Sequence, residues 1–93
     1  MHSVYSPHFP LGRLVATPAV LRVIPANEWG NAIRRHLNCD WGDVCAADKK
    51  SNDMALRDGT RLFSVYHTSG GRKFWIITEA DRSATTVLLP EDY

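Results

Sequence analysis

The densest group of potential metal-binding side chains lies between positions 36 and 45. His36, Cys39 and Cys45, with Asp40 or Asp43 beside them, bring nitrogen, sulfur and oxygen donors into ten residues. Zinc favours such a mixture, normally with four ligands in a structural site. The spacing lacks the paired Cys-x-x-Cys knuckles of zinc sites, and two small buried thiols near a helix-face histidine explain it more simply. We therefore expect no bound metal.

The same segment could support nucleophilic catalysis if a thiolate lay beside a base. Cys39 or Cys45 would have to contact His36 or His67, and buried thiols are usually inert.

Gly70-Gly71 lacks both the Gly-Lys-Ser/Thr ending and the following helix of a phosphate-binding loop, so it predicts a hairpin turn. No cofactor is expected.

A larger set of polar side chains falls on a predicted sheet in the C-terminal third. Helices that cover one face of this sheet would leave the other face free for a ligand. A ribonuclease built there would need basic residues, a general base and groups that stabilise the phosphorane charge. Ordinary cross-strand ion pairs on a solvated sheet explain the same residues, so RNA cleavage is an alternative. The residues that could fill the catalytic roles are His67, Glu79, Arg61, Arg82 and Tyr93.

Trp41 lies in a turn with the sequence Asp-Trp-Gly-Asp. The chain has 3 tryptophans in 93 residues, and the simplest interpretation is that they anchor the core. The turn could instead present Trp41 to a partner, because tryptophan is enriched at the centres of interfaces. The side chains that would form this binding surface are Trp41, Asp40, Asp43, Tyr66 and Arg82.

The apolar periodicity predicts the elements that must hold these residues. Thr17-Pro18 is typical of a helix start, Asn27 of the cap of a longer helix, and Gly59 of a helix end. The order is β-α-α-β-β-β, with two or three helices packed on one face of a small antiparallel sheet, in the α+β class. One domain is expected at 12–93, after an irregular N-terminal arm at 1–11. Strands are predicted at 12–16, 61–67, 73–78 and 84–89. A short helix or turn is predicted at 19–24, and longer helical segments at 27–38 and 44–58.

The charge count limits the partners of the chain. Eleven basic and ten acidic residues give a net charge of +1, which argues against a protein that coats nucleic acid. Residues 1–37 carry +3, residues 38–60 carry −2 and residues 61–93 carry 0, so a local basic patch and a nucleic-acid-binding regulator stay open as a weaker alternative. No signal sequence or membrane span is expected, and two cysteines suit a reduced, cytoplasmic protein.

From Gly12 onward the chain resembles a family of small bacterial proteins described only as plasmid-related or hypothetical. These proteins are carried on integrative elements, plasmids and gene cassettes. The resemblance implies cargo of mobile DNA in a bacterial cytoplasm and brings no established activity with it. Cys39 and Cys45 lie outside the shared pattern. The stretches that carry the resemblance are 12–18, 36–37 with 40–43, 52–53 with 55–56 and Gly59, and, most specifically, 75–83 running into 85–90.

Two functions follow as expectations. The preferred one is a non-enzymatic accessory protein of a mobile element that binds a protein partner, since no specific catalytic motif is present. Self-association as a homodimer is a further expectation, because a small sheet has open edges. The alternative is a toxin-like ribonuclease, since the element order is similar to that of small RelE-like and barnase-like enzymes. Nucleic acid is a less favoured partner, and a membrane is not expected.

Overall fold

Local sequence signals set most of the element boundaries in the computed structural model, which describes residues 8–93. The side chain of Thr17 accepts a hydrogen bond from the amide of Val20 at 3.2 Å, as expected for a helix cap. Gly59 ends the third helix with φ 70°. The elements are β1 (Arg13–Ala16), α1 (Pro18–Val23), α2 (Ala26–Leu37), α3 (Ala46–Asp58), β2 (Leu62–His67), β3 (Lys73–Thr78) and β4 (Ala84–Leu88), followed by a 3-10 turn at Pro90–Asp92.

Two predicted helix starts are wrong by a few residues. The second helix begins at Ala26 after Pro25, rather than after Asn27. The third begins at Ala46 after Cys45. Asp43 lies three residues before this helix, and its carboxylate contacts the ring of His67 at 2.7 Å.

The α+β class is confirmed, but the sheet is mixed rather than antiparallel. Its strand order is β1-β4-β3-β2. Strand β3 pairs antiparallel with β2 and with β4, whereas β1 pairs parallel with β4. The three helices between β1 and β2 form a crossover that returns the chain in its original direction. Two hairpins later β4 runs in that direction again, so β1 can only join it as a parallel strand.

Helices and sheet enclose the core between them. The buried side chains of β2 on this face alternate, at Leu62, Ser64 and Tyr66, because successive residues of a strand point to opposite faces. Phe9 is also buried, and the amide of His8 donates to Leu37 at 2.9 Å. The end of the segment assigned to an irregular arm therefore packs on the domain, while residues 1–7 lie outside the described residues. The core comprises chiefly Phe9, Val20, Ile24, Ala32, Ile33, Leu37, Trp41, Ala55, Leu62, Tyr66, Phe74, Ile76, Val87 and Leu89.

The outer edge of β2 is covered by side chain and backbone. The side-chain amide of Asn52 accepts from the amide of Phe63 at 3.0 Å and donates to its carbonyl at 2.7 Å. Farther along, Val65 donates to the carbonyl of Trp41 and accepts from the amide of Asp43. This edge of the sheet therefore has few backbone groups left to pair with another strand.

Candidate functional site

His36 lies at the centre of a buried chain of hydroxyl groups. Its Nδ1 is 2.6 Å from the hydroxyl of Ser64 and its Nε2 is 2.9 Å from that of Thr78. Thr78 contacts Thr85 at 2.7 Å, and the hydroxyl of Thr85 donates to the carbonyl of Leu11 at 2.7 Å. Each hydroxyl has one proton, so Thr78 donates to Thr85 and accepts from Nε2–H of His36. Nδ1 is then the acceptor, and Ser64 donates to it.

This network gives both ring nitrogens of His36 a hydrogen-bond partner, and the ring is fully buried. Burial, and secondarily the positive charge of Arg82, lowers the pKa of His36 to about 3, so the ring is neutral. Ser64 is fully buried as well, so this Ser-His pair has no access to a substrate. Burial also raises the pKa of the Cys39 thiol. Among residues 8–93, no three His, Cys, Asp or Glu side chains are grouped closely enough to hold a metal ion.

Trp41 is a core residue rather than an exposed contact. Only 2% of its surface is exposed, and its ring packs against those of Phe9 and His36. Its indole N–H donates to the carboxylate of Asp53 at 3.0 Å, and this bond is the main cause that lowers the pKa of Asp53. The alternative in which the turn exposes Trp41 to a partner is therefore wrong.

Tyr66, Asp40 and Asp43 also hold this turn in place. Tyr66 is 1% exposed, and its hydroxyl donates to the carbonyl of Asp40 at 2.6 Å. The carboxylate of Asp40 accepts two hydrogen bonds from Arg35, at 2.8 and 3.2 Å, and Arg35 is the first cause that lowers its pKa. Asp43 contacts His67 at the surface. Tyr66 is thus too buried to bind a partner, and the two carboxylates already have basic neighbours.

Arg82 acts as a clamp between backbone segments. Its Nη1 donates to the carbonyl of Thr60 at 2.6 Å and, at longer range, to those of Glu79 and Ala80. Its Nη2 donates to the carbonyl of Ala55, at the end of α3, at 3.0 Å. The guanidinium that sequence reasoning assigned to RNA or to a partner is therefore occupied by main-chain acceptors.

The structure brings together only part of the proposed catalytic set. Arg61 lies over the ring of Tyr93, with 5.8 Å between the guanidinium carbon and the ring centroid. His67 lies at the other end of β2, about 20 Å from Arg61 at roughly 3.3 Å per residue. Glu79 is an exposed residue just after β3, and it lies at the same end of the sheet as Arg61 because Leu62 pairs with Thr78. Arg82 also lies at this end, where it donates to the carbonyl of Glu79. His67 is therefore separated from the rest of the set, whereas Arg61, Glu79 and Arg82 lie at the same end of the sheet.

A groove of about 490 Å³ lies between α3 and the face of the sheet opposite the main core. The ring of Trp75 makes edge contacts with Phe63, at a centroid distance of 5.1 Å, and with Tyr93, at 5.9 Å. Trp75 is half-buried and Tyr93 is 70% exposed, so part of this surface is open to solvent. We call it the aromatic groove, and its lining residues are Asp48, Ser51, Asn52, Thr60, Arg61, Phe63, Trp75, Ile77 and Tyr93.

Sequence reasoning found Arg61 and Tyr93 but missed the rest of the aromatic groove. Successive residues of a strand point to opposite faces, so Phe63 lies on the same face as Arg61. This alternation is the sequence signal that could have identified Phe63. Trp75 faces the same way because it pairs with Val65 in the register of β2 and β3. Asn52 gave no such signal, since its position under β2 depends on how α3 packs.

Comparison with known proteins identified no similar protein. No protein-family model, curated protein or solved structure matches the chain. None of the helices formed by residues 8–93 combines the length and apolar character that crossing a membrane requires.

Proposed function

We propose that the chain is a non-enzymatic binding domain that holds a segment of a protein partner in the aromatic groove. The observation that carries the proposal is the grouping of Trp75, Tyr93 and Arg61 around one surface cavity. Tryptophan, tyrosine and arginine are the residue types most often responsible for binding energy at protein interfaces. Trp75 and Tyr93 are also already in contact, so little side-chain freedom would be lost when a partner binds.

The groove has the layout of a peptide-binding surface. Phe63, Trp75 and Ile77 supply apolar surface, and Ser51 and Thr60 supply hydroxyl groups around it. An apolar floor with a few polar groups at its margin favours an apolar side chain held in a fixed orientation. The groove is also bounded by secondary structure on two sides, which keeps its shape defined before binding.

The charges indicate what the partner segment contains. Arg61 forms no ion pair with residues 8–93, and its guanidinium is exposed above Tyr93. A carboxylate is the anion that it can bind in a bidentate manner within a protein partner. We therefore propose an extended segment in which a large apolar side chain lies next to Asp or Glu.

Single-stranded nucleic acid is the second candidate, since Phe63, Trp75 and Tyr93 could stack bases on an open sheet face. The local charge makes it less favoured. Asp48 also lines the groove and would repel phosphates that Arg61 attracts. Nucleic-acid grooves usually have a basic excess, which this one lacks.

The genetic context in this proposal rests on sequence resemblance alone. The stretch from Trp75 to Pro90 resembles proteins carried on bacterial mobile elements. On that basis we propose an accessory protein that acts in the bacterial cytoplasm. The binding proposal does not depend on this assignment, because it uses only the chemistry of the groove.

Selection from a random peptide display library on the immobilised full chain tests the proposal. Synthetic copies of the enriched peptides are then titrated calorimetrically against wild type, Arg61→Ala, Tyr93→Ala and Arg34→Ala. Arg34 is an exposed arginine on α2 and serves as the matched control. We expect enriched peptides with an apolar residue beside Asp or Glu, and about tenfold weaker binding for both groove variants, as for truncated hot-spot residues.

Three results would contradict the proposal. The first is that no peptide is enriched, and the second is that enriched peptides bind Arg61→Ala and Tyr93→Ala as tightly as wild type. The third comes from a parallel titration with a uridine 12-mer. If the oligonucleotide binds and the two groove variants abolish that binding, the groove is a nucleic-acid site, and release of cleaved RNA would identify a ribonuclease.

A further inference from the structure

The two edges of the sheet differ in how their backbone groups are satisfied. The edge at β2 is covered by Asn52 and by the segment 41–43. At the other edge, the amide of Arg13 donates to the carbonyl of Ser83 at 2.9 Å, and the amide of Thr17 donates to that of Val87 at 3.1 Å. Backbone groups alternate in direction along a strand, so the N–H and C=O of Leu14 and Ala16 point away from β4. Within residues 8–93 nothing bonds to them.

The free edge is also apolar. Leu14 is 43% exposed and Val15 is 38% exposed. Edge strands are usually protected from pairing by being very short, by charged side chains, by proline or by a bulge. Strand β1 is short, with 4 residues. Strand β1 has one charge, Arg13, at its first position, and proline comes only after its end.

We propose that β1 pairs with β1 of a second copy of this chain, antiparallel and about a two-fold axis. Pairing would join two four-stranded sheets into one continuous sheet across the dimer. A closed two-fold contact uses the same surface on both copies, as is most common among homodimers. This surface lies at the opposite edge of the sheet from α3 and β2, so the proposal is independent of partner binding in the aromatic groove.

The outward-pointing groups determine the register. Residues that face each other must project from the same face of the joined sheet, which excludes any register shifted by one residue. Pairing Leu14 with Ala16 of the second copy uses all the free groups of both residues and forms four hydrogen bonds. Pairing Leu14 with its own equivalent would leave Ala16 without a strand residue to bond. In the favoured register, Val15 lies opposite Val15 at the two-fold axis.

The charges complement each other in this register. Arg13 lies opposite Thr17 of the second copy, and the hydroxyl of Thr17 donates to Oδ2 of Asp92 at 2.7 Å. Arg13 therefore comes beside Asp92 of the other copy, and the symmetry repeats this pair. Within residues 8–93, Arg13 has no ion pair and Oδ1 of Asp92 accepts no hydrogen bond. Two Arg–Asp pairs would thus flank the apolar centre of the interface.

Disulfide trapping tests both pairing and register. The wild-type thiols are first removed by Cys39→Gly, which suits the positive φ of 63° at that position, and by Cys45→Ser. In this background Val15→Cys should cross-link two chains under mild oxidation, because facing Cα atoms of such a pair lie about 4.5 Å apart. Leu14→Cys is the matched control. Its equivalents are offset by two residues, about 8 Å apart, and should not cross-link efficiently.

Sedimentation velocity over a concentration series tests the native interface. Wild type should shift from monomer to dimer as concentration rises. Val15→Lys should raise the dissociation constant at least about tenfold, since like charges would face each other at the axis. Met54→Lys, at a residue that is 46% exposed on α3, should change it less than about twofold. A wild type that is monomeric throughout, or equal cross-linking by the Leu14→Cys and Val15→Cys variants, would overturn the proposal.

Discussion

The hydroxyl of Ser64 donates to Nδ1 of His36 at 2.6 Å, and both side chains are completely buried. The bond connects α2 to β2 across the core. A serine next to a histidine can form a nucleophile and its base. Here neither side chain reaches the surface of the protein. Its consequence is structural: a polar group from each layer is satisfied only when helix and sheet are packed together.

Stability should fall in mild acid because of His36. Its pKa is lowered to about 3 in the folded chain from 6.5, so the unfolded chain binds a proton more readily. Stability is then fully present above pH 6.5 and is lost as pH falls towards 3. Linkage gives a loss of about 2 kcal/mol between pH 7 and pH 5, measurable by urea unfolding at each pH.

His67 provides the control for this measurement. Its ring is exposed, so His67→Gln should retain most of the pH dependence. His36→Gln should be less stable at pH 7 and should lose most of the slope between pH 7 and pH 5. A wild-type stability that is constant over this range would contradict the neutral, buried state of His36.

The sequence allowed most of the sheet to be predicted because β2, β3 and β4 carry strong local patterns. Alternation in β2 and the turn at Gly70-Gly71 define the first hairpin without reference to the helices. The direction of β1 was not predictable in this way. Its four residues pair with a strand almost at the other end of the chain, so only the packing of the intervening helices determines that pairing.

The candidate site was harder to predict than the fold. The predicted catalytic set includes Arg61 and Tyr93, which lie side by side in the structure. It also includes Arg82, because a basic side chain beside a sheet is typical of a residue that binds phosphate. The carbonyl groups that occupy Arg82 come from the end of α3 and from two turns. Backbone acceptors have no sequence signature, so spacing could not distinguish a clamp from a binding residue.

Replacement of Asn52 by alanine should weaken the edge of the sheet. The substitution removes two hydrogen bonds to the backbone of Phe63, at 2.7 and 3.0 Å, from a side chain that is 3% exposed. We expect a loss of about 2 kcal/mol in the free energy of unfolding. Asn31→Ala, at an exposed position of α2, should be neutral or slightly stabilising. Equal effects of the two substitutions in chemical unfolding would rule out the role of Asn52.

Two glycine-to-alanine substitutions should have opposite effects. A Cβ at Gly42 would overlap the carbonyl of Val65 and contact the ring of Tyr66, at a φ of 74°. Gly42→Ala should therefore cost about 3 kcal/mol or more. At Gly30, inside α2, an added Cβ meets nothing within 4 Å, so Gly30→Ala should stabilise by about 0.5–1 kcal/mol. Thermal unfolding of both variants checks the close approach of segment 41–43 to β2.

Arg82→Lys tests whether this residue is a clamp or a binding residue. A single ammonium group cannot reach both the carbonyl of Thr60 and that of Ala55, which the two Nη atoms of Arg82 contact at 2.6 and 3.0 Å. Lysine should therefore lower the free energy of unfolding by about 2 kcal/mol despite its equal charge. Arg57→Lys, at an exposed position of α3, should change it by less than about 0.5 kcal/mol.

The affinity of Arg82→Lys for the peptides selected on the aromatic groove also distinguishes a clamp from a binding residue. If Arg82 is a clamp, folded Arg82→Lys binds them with wild-type affinity at a temperature well below its unfolding transition. Binding that falls about tenfold while the unfolding free energy stays unchanged would instead identify Arg82 as a ligand contact. We expect wild-type affinity, because the guanidinium of Arg82 donates its hydrogen bonds to the main chain of α3 and of the turns around the sheet.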